Sequence, residues 1–315
     1  MVADRTPPTP VPGPDSQATI PVDVPLDLKR TLSIHRRGPA DPTMRLGADG
    51  RVWRATRTSA GPATLLIERL PGGHAVRASA WGPGASTAIA GVPALLGLDD
   101  DPGALVPVHP AVSDAVRRLP GLRVGRTGAV LEALVPAILE QKVTGDEARR
   151  TFRALVIRHG EPAPGPGGLR LQPSAAVLAR MPYHAFHPLG LERRRAQVIR
   201  AVATQAARLE ATLGLAPDAA DTVLRAFPGI GPWTSAEVRL RAHGDPDAVS
   251  VGDFHVPNLV AWALAREPRG SDERMLELLE PYRGQRGRVT RLLELAGIRA
   301  PRYGPRMPTR HIETF

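Results

Sequence analysis

Residues 228–232 read PGIGP, and they oblige the chain to reverse. The run before them, "DAADTVLRAF" (218–227), and the run after them, "TSAEVRLRAHG" (234–244), both have helical period. Glycine accepts positive φ and lets another backbone approach closely, while Pro228 and Pro232 stiffen the two ends. Ile230, between the glycines, is expected to point inward and pin the two helices together. The turn's amides then lie at the N-terminus of the second helix, where unpaired N–H groups and the positive dipole end favour a phosphate. Thr234 adds a hydroxyl donor in that first turn. A plain helix–turn–helix corner accounts for short Gly-rich turns too. In "PGIGPWT" every position suits the same task, which favours a phosphate grip built on Gly229, Gly231 and Thr234.

A single acid follows, in "SVGDFHVPNLVAWALA". Taken alone, Asp253 reads as the N-cap of a helix, and Pro257 in the first turn fits that start. Its place twenty residues after Trp233, at the end of the loop that follows the hairpin, opens a second reading: a carboxylate held beside a gripped phosphate.

Composition favours an anionic partner. The 315 residues carry 41 Lys+Arg against 31 Asp+Glu, a net charge of +10, and such an excess points first to nucleic acid and second to a membrane surface. Lys29 and Lys142 are the only lysines, so the charge is nearly all Arg, and an Ala-, Arg-, Gly- and Pro-rich base composition gives the same pI without any ligand. With no cysteine there are no disulfides, cysteine–zinc sites or iron–sulfur clusters. No apolar run approaches the ~18–20 residues of a membrane span, and the first residues contain no secretory h-region. The expectation is a cytoplasmic protein, monomeric by default, with no obligate protein partner.

Residues 1–24 are Pro-rich and read as a disordered tail. From 25 to 107 the runs "LDLKRTLSIH", "RVWRATRT", "ATLLIERL" and "HAVRASAW" have partial period-2 alternation between turn signals, which predicts a small antiparallel sheet domain closed by a helical "VPALLGL". Helical period then dominates 108–299, with the hairpin at 218–243. "AVLEALVPAILEQKV" places Leu131, Leu134, Ala137, Ile138 and Val143 near one face, and Thr144 and Glu147 have capping-box spacing. Residues 300–315 read as a basic tail. The fold class is α+β: a small N-terminal sheet domain, then a mostly helical body.

The stretch "LRAFPGIGPWTSAEVRLRAHGDPDAVSVGD" resembles the signature of the helix-hairpin-helix DNA glycosylase superfamily, and is most similar to its bacterial 3-methyladenine DNA glycosylase II branch. "ALLGLDDDPGALVPVHP", "GLRVGRTGAVLEALVPAILEQKVTG" and "LGLERRRAQVIRAVA" occupy that family's order and spacing, so the resemblance covers roughly 26–298. It implies base excision repair of double-stranded DNA: Gly229, Gly231 and Thr234 on a backbone phosphate, and Asp253 facing C1′ of a flipped nucleotide. It also implies a monovalent cation on the hairpin's backbone carbonyls, no other cofactor, and no side-chain metal site.

Trp233 stands where the family's bifunctional members carry a Schiff-base lysine, so simple hydrolysis is expected. Trp233 also matches one indole of the pocket that holds cationic alkylated purines. Glu237 replaces a tyrosine of the relatives, and Gln285 stands at a second expected indole. The acid at Glu237 suits a cationic purine or hydrogen-bonds a neutral one. Tyr282 is a candidate to compensate, and Tyr183 and Phe186 of "MPYHAFHPLG" are candidates for the pocket wall, although Phe186 and Trp262 serve equally as core. His184, His187 and His255 are as readily surface residues. Gln141 and Lys142 fall where the family wedges a side chain into the DNA gap, and a solvent-facing helix-end lysine is an equal reading of Lys142. Two other classes remain: a non-catalytic helix-hairpin-helix DNA clamp, and a glycosylase-lyase.

Overall fold

A computed structural model describes residues 13–301. The parts of the predicted tails at 1–12 and 302–315 lie outside the described residues.

The N-terminal unit is a five-stranded antiparallel sheet of β1 (Ser16–Pro21), β2 (Met44–Leu46), β3 (Val52–Thr58), β4 (Gly61–Arg69) and β5 (Ala75–Trp81), in the order β1-β5-β4-β3-β2. The α+β organisation read from the sequence stands. Two expectations within it change. Residues 16–21, assigned to a disordered tail, form β1, with Ser16 opposite Ala80 and Pro21 opposite Ala75. The side chains of "SQATIP" alternate between half-buried and exposed, which suits a strand that covers the open edge of β5. "LDLKRTLSIH" is not a strand but contains the helix α1 (Leu28–Ser33): Asp27 accepts a bond from the Arg30 amide at 2.9 Å, and Leu28 and Leu32 recur at helical spacing into the core.

Helix α2 (Ala85–Ala90) packs across β1, β4 and β5, followed by α3 (Val92–Leu95). Leu32, Leu65, Ile67, Val76, Ala78 and Leu96 are almost fully enclosed beneath them. Burial of each large apolar side chain is worth about 1.5–3 kcal/mol. The opposite face carries the Trp53–Trp81 stack, ring centroids 5.7 Å apart. It is covered by the "APGPGG" loop between β6 (Glu161–Pro162) and β7 (Arg170–Leu171).

The helical body is not one unit but two packed lobes. The chain enters the first with α4 (Pro110–Arg118). It then leaves to build the second from α5 (Val130–Leu139), α6 (Gly145–His159), α7 (Ala175–Arg180), α8 (Tyr183–Phe186), α9 (Arg193–Thr204), α10 (Ala206–Glu210), α11 (Pro217–Arg225) and α12 (Pro232–Val238). It returns to complete the first with α13 (Val256–Ala265), α14 (Asp272–Leu279) and α15 (Arg286–Leu295). The loop 244–255, which carries Asp253, is therefore the crossing from the hairpin lobe to the other.

Helix α5 is the central member and its irregularities are compensated one by one. Its N-terminal amides at Val130 and Leu131 donate to the Glu210 carboxylate at 2.8 and 2.9 Å. Pro136 removes the donor owed to the Glu132 carbonyl, and the Gln172 side chain supplies one at 3.0 Å. The Glu132 carboxylate, in turn, binds Arg54, Thr56 and the Arg57 amide of β3, which fixes the sheet unit to the body. Thr144 caps α6 by accepting from the Glu147 amide, as the capping-box spacing predicts.

Candidate active site

Helices α11 and α12 form the hairpin, and the two glycines of its turn do different work. Gly229 has φ +93°, and a Cβ there would sit 2.4 Å from a Val198 methyl of α9. Conformation and space both demand glycine. Gly231 has φ −93° in extended backbone, and nothing lies within 4 Å of where its Cβ would be. Among the described residues its amide has no backbone partner, so that side of the turn faces open space. Ile230 is 5% exposed and packs in the hairpin lobe's core, as expected. Ser235 donates to Asp221 at 2.6 Å, a partly buried bond between the two helices that sequence reasoning missed.

Thr234 requires a correction. It is 2% exposed, and its Oγ1 accepts a bond of 2.8 Å from the Gln141 side chain, so its hydroxyl does not point toward solvent. Sequence spacing placed it in the first turn but could not say which face of that turn is buried.

Asp253 lies at the start of α13 and against the hairpin helix. Its Oδ1 accepts from the amides of His255 (2.7 Å) and Val256 (2.9 Å), which caps the start of α13. Its Oδ2 accepts from the indole Nε1 of Trp233 at 2.9 Å, across the seam between the lobes. The carboxylate is half-buried and turned toward the hairpin helix. Three donors of fixed position leave it little freedom to rotate.

With this geometry in place, the comparisons with known proteins are informative. No family model matches the chain. A probable bifunctional transcriptional activator/DNA repair enzyme AlkA, found in two strains of Mycobacterium tuberculosis, is 34% identical over 174 residues. That match covers 53% of this chain and 35% of the relative, so the chain matches about a third of the length of these curated proteins. A 3-methyladenine DNA-glycosylase from Archaeoglobus fulgidus superposes with a TM-score of 0.72 at 18% identity, over 88% of this chain and 97% of that one. The chain has the helix-hairpin-helix DNA glycosylase fold. An 8-oxoguanine glycosylase/lyase of Clostridium acetobutylicum, solved with double-stranded DNA, shares that fold at a TM-score of 0.69 and 15% identity, over 90% and 96% of the two chains.

Within the glycosylase fold, the predicted pocket residues do not converge. Phe186 is fully buried in the core of the hairpin lobe, and Tyr282 is 3% exposed in the core of the other. The Tyr282 hydroxyl accepts from the His109 amide at 2.9 Å and meets its Nδ1 at 2.6 Å, and burial raises its pKa. Neither ring lines an open wall, because both finish hydrophobic clusters that helical period alone cannot tell from a site. Tyr183 is half-buried, with the Arg193 guanidinium 5.0 Å above its ring and His187 at its edge. Gln285 binds Arg288 at 2.6 Å at the start of α15. Trp262 is half-buried, with Arg266 over its ring.

Glu237 sits one turn beyond Trp233 on α12, with both oxygens engaged: Ser250 donates to one and Arg241 to the other, each at 2.6 Å. Burial opposes the charge of Arg241, but Glu237 and Glu140 more than offset this and raise its pKa. The neighbouring cavity, lined by His35, Arg37, Arg54, Glu132 and Arg241, measures about 30 Å³. That is room for about one water molecule, not a nucleobase.

Gln141 and Lys142 form the tip between α5 and α6. Gln141 turns its amide into the hairpin, while Lys142 is exposed with φ +55°. Phe254 was not anticipated. It follows Asp253 directly, is 76% exposed, and meets the exposed His255 edge-on at 5.0 Å. In a chain with five phenylalanines, one placed in a loop beside Asp253 was the available signal. Among the described residues no group of three His, Asp or Glu could hold a metal ion, and no helix is long and apolar enough to cross a membrane.

Proposed function

We propose that the chain is a monofunctional DNA glycosylase of base excision repair, acting on damaged purines in double-stranded DNA, alkylated purines first. The observation that carries this reading is the bond from Trp233 of the hairpin helix to Asp253. It holds a carboxylate against the element whose open glycine turn suits a DNA phosphate. The amides at Gly231 and the first turn of α12 would take a backbone phosphate next to the lesion, and a monovalent cation held by the hairpin's backbone carbonyls would add positive charge there. The nucleotide is rotated out of the duplex because its glycosidic bond is unreachable inside.

The bond from C1′ to the base nitrogen breaks, and its electron pair leaves with the base. Positive charge then develops on the sugar, water adds its oxygen to C1′, and the proton that the water loses passes to solvent or to a departing base that leaves as an anion. Asp253 faces that charge. Because its oxygens already accept three bonds, its contribution is electrostatic stabilisation from a fixed position more than proton abstraction. Trp233 cannot form a Schiff base, which supports hydrolysis without strand cleavage.

The test is to incubate the protein with methylated duplex DNA and analyse the released bases. Free alkylated purines are expected, with the sugar–phosphate strand intact and no DNA adduct on borohydride treatment. DNA binding without base release would leave a clamp, and a borohydride adduct would make Lys142 or Lys29 a nucleophile.

A further inference from the structure

Three contacts pin the short tip between α5 and α6. Arg195, almost fully buried on α9, donates to the Leu139 carbonyl at 2.6 Å. Arg37 pairs with Glu140 at 2.9 Å. Gln141 then reaches across to the hairpin, where its Nε2 donates to the Gly229 carbonyl at 3.0 Å and to Thr234 Oγ1 at 2.8 Å. A carbonyl can only accept, so the amide must present its NH2 group to the turn, and the assignment of its two ends is fixed. The Thr234 end of this bridge is buried, so losing it leaves a desolvated hydroxyl short of a partner.

Lys142 is the next residue, and two features set it apart. It is one of two non-glycine residues with positive φ among the described residues, at +55°. A left-handed conformation costs a non-glycine residue roughly 1–2 kcal/mol, so the surroundings must impose it. It is also exposed, while the residues on both sides are partly buried. The tip is held at several points, and the strain falls on the one side chain that is presented outward.

We propose that Gln141 is a positioning residue that ties this tip to the Gly229–Thr234 turn and so sets Lys142 at a fixed offset from the phosphate grip, where its apolar stem fills the gap left by the extruded nucleotide. This rests on the glycosylase reading above. It assigns to Gln141 a role other than entering the gap itself, since its amide is spent on the hairpin. The consequence is that the grip on the backbone and the filling of the gap move as one rigid piece.

The steps separate when base release is measured from a lesion in a paired duplex and from the same lesion in an unpaired bubble, which requires no gap filling. Gln141→Leu is expected to slow release from the duplex about tenfold and to leave the bubble rate nearly unchanged. A Gln141→Leu/Lys142→Ala double variant is expected to be no slower on the duplex than the slower single variant, because both remove one device. Equal slowing on the two substrates, or a wild-type rate on the duplex, overturns the proposal. Should Gln141→Leu fail to fold, Thr234→Val removes only the accepting hydroxyl and must show the same loss confined to the duplex. If the wild-type protein releases no base from either substrate, the glycosylase reading fails. The proposal is then decided by fluorescence anisotropy with duplex DNA. A wild-type preference for an abasic gap over intact duplex that Gln141→Leu abolishes supports it, and a preference that is missing in the wild type or kept in the variant overturns it.

Discussion

The first turn of α12 and the second turn of the same helix make an instructive pair. The first turn follows the glycine hairpin and holds Trp233, which reaches Asp253. The second holds Glu237, which is consumed by Arg241 and Ser250. One is open on its glycine side, the other closed by its own neighbours. On the glycosylase reading proposed above, the phosphate grip is built from backbone and the surface one turn away from side chains, so the two can change separately.

The variants that test this contrast begin with the acid. Asp253→Asn keeps an oxygen for the α13 amides but turns an NH2 group toward the indole. Base release is expected to fall a hundredfold or more with DNA affinity retained, since removing one preorganised charge-stabilising group costs about 3–4 kcal/mol. Near-wild-type turnover in single-turnover assays would break the comparison at its stronger end. The two hairpin glycines come next. Gly229→Ala imposes both positive φ and overlap with Val198, so thermal or urea unfolding should show a loss of about 2–3 kcal/mol. Gly231→Ala has the room and the backbone angles, and should leave stability almost unchanged while weakening DNA binding. If both variants lose stability equally, the turn is a folding corner and not a grip.

Trp233→Phe keeps a ring but removes the N–H that holds Asp253 Oδ2. Turnover is expected to drop about tenfold without a matching change in DNA affinity, which separates a positioning role from a stacking one. A change in affinity alone would return Trp233 to the pocket wall.

The smallest effect concerns acid stability. Burial, reinforced by Arg54, Arg241, Arg37 and Arg291, holds the His35 pKa well below its usual value of 6.5. The unfolded chain therefore binds a proton near pH 6.5 that the native state refuses. Stability is full above that value and declines as pH falls through it, by at most about 1.4 kcal/mol per pH unit for one histidine. His243, also lowered chiefly by burial, acts in the same direction. His35→Phe should flatten the decline in urea denaturation between pH 7 and pH 5. An unchanged slope would show that His35 is not the group responsible.

What the sequence disclosed follows from how local each feature is. The hairpin, the Thr144 cap and the strands β3 to β5 are specified by residues a few positions apart, so periodicity and turn chemistry reveal them. The place of Asp253 at the start of α13 was legible because its loop joins two recognisable helices. The pocket was not, since Phe186, Tyr282 and Glu237 meet partners that only the folded chain supplies. Strand β1 was hidden for a related reason: "SQATIP" has little to bury by itself and becomes a strand only against the edge of β5. The division of the body into two lobes was equally invisible, because α4 and α13 are far apart in the chain yet share one core.

That interleaving has a consequence for biosynthesis. At translation speeds of roughly 5–20 residues per second, α4 emerges on the order of ten seconds before the helices that complete its core. The hairpin lobe is finished in the interval, and Asp253 follows on the loop 244–255 that leads to α13, the first of the later helices that pack with α4. A nascent chain would thus complete the core of the hairpin lobe while α4 still lacks its partners, and the bond from Trp233 to Asp253 can tie the lobes together only once the later helices emerge.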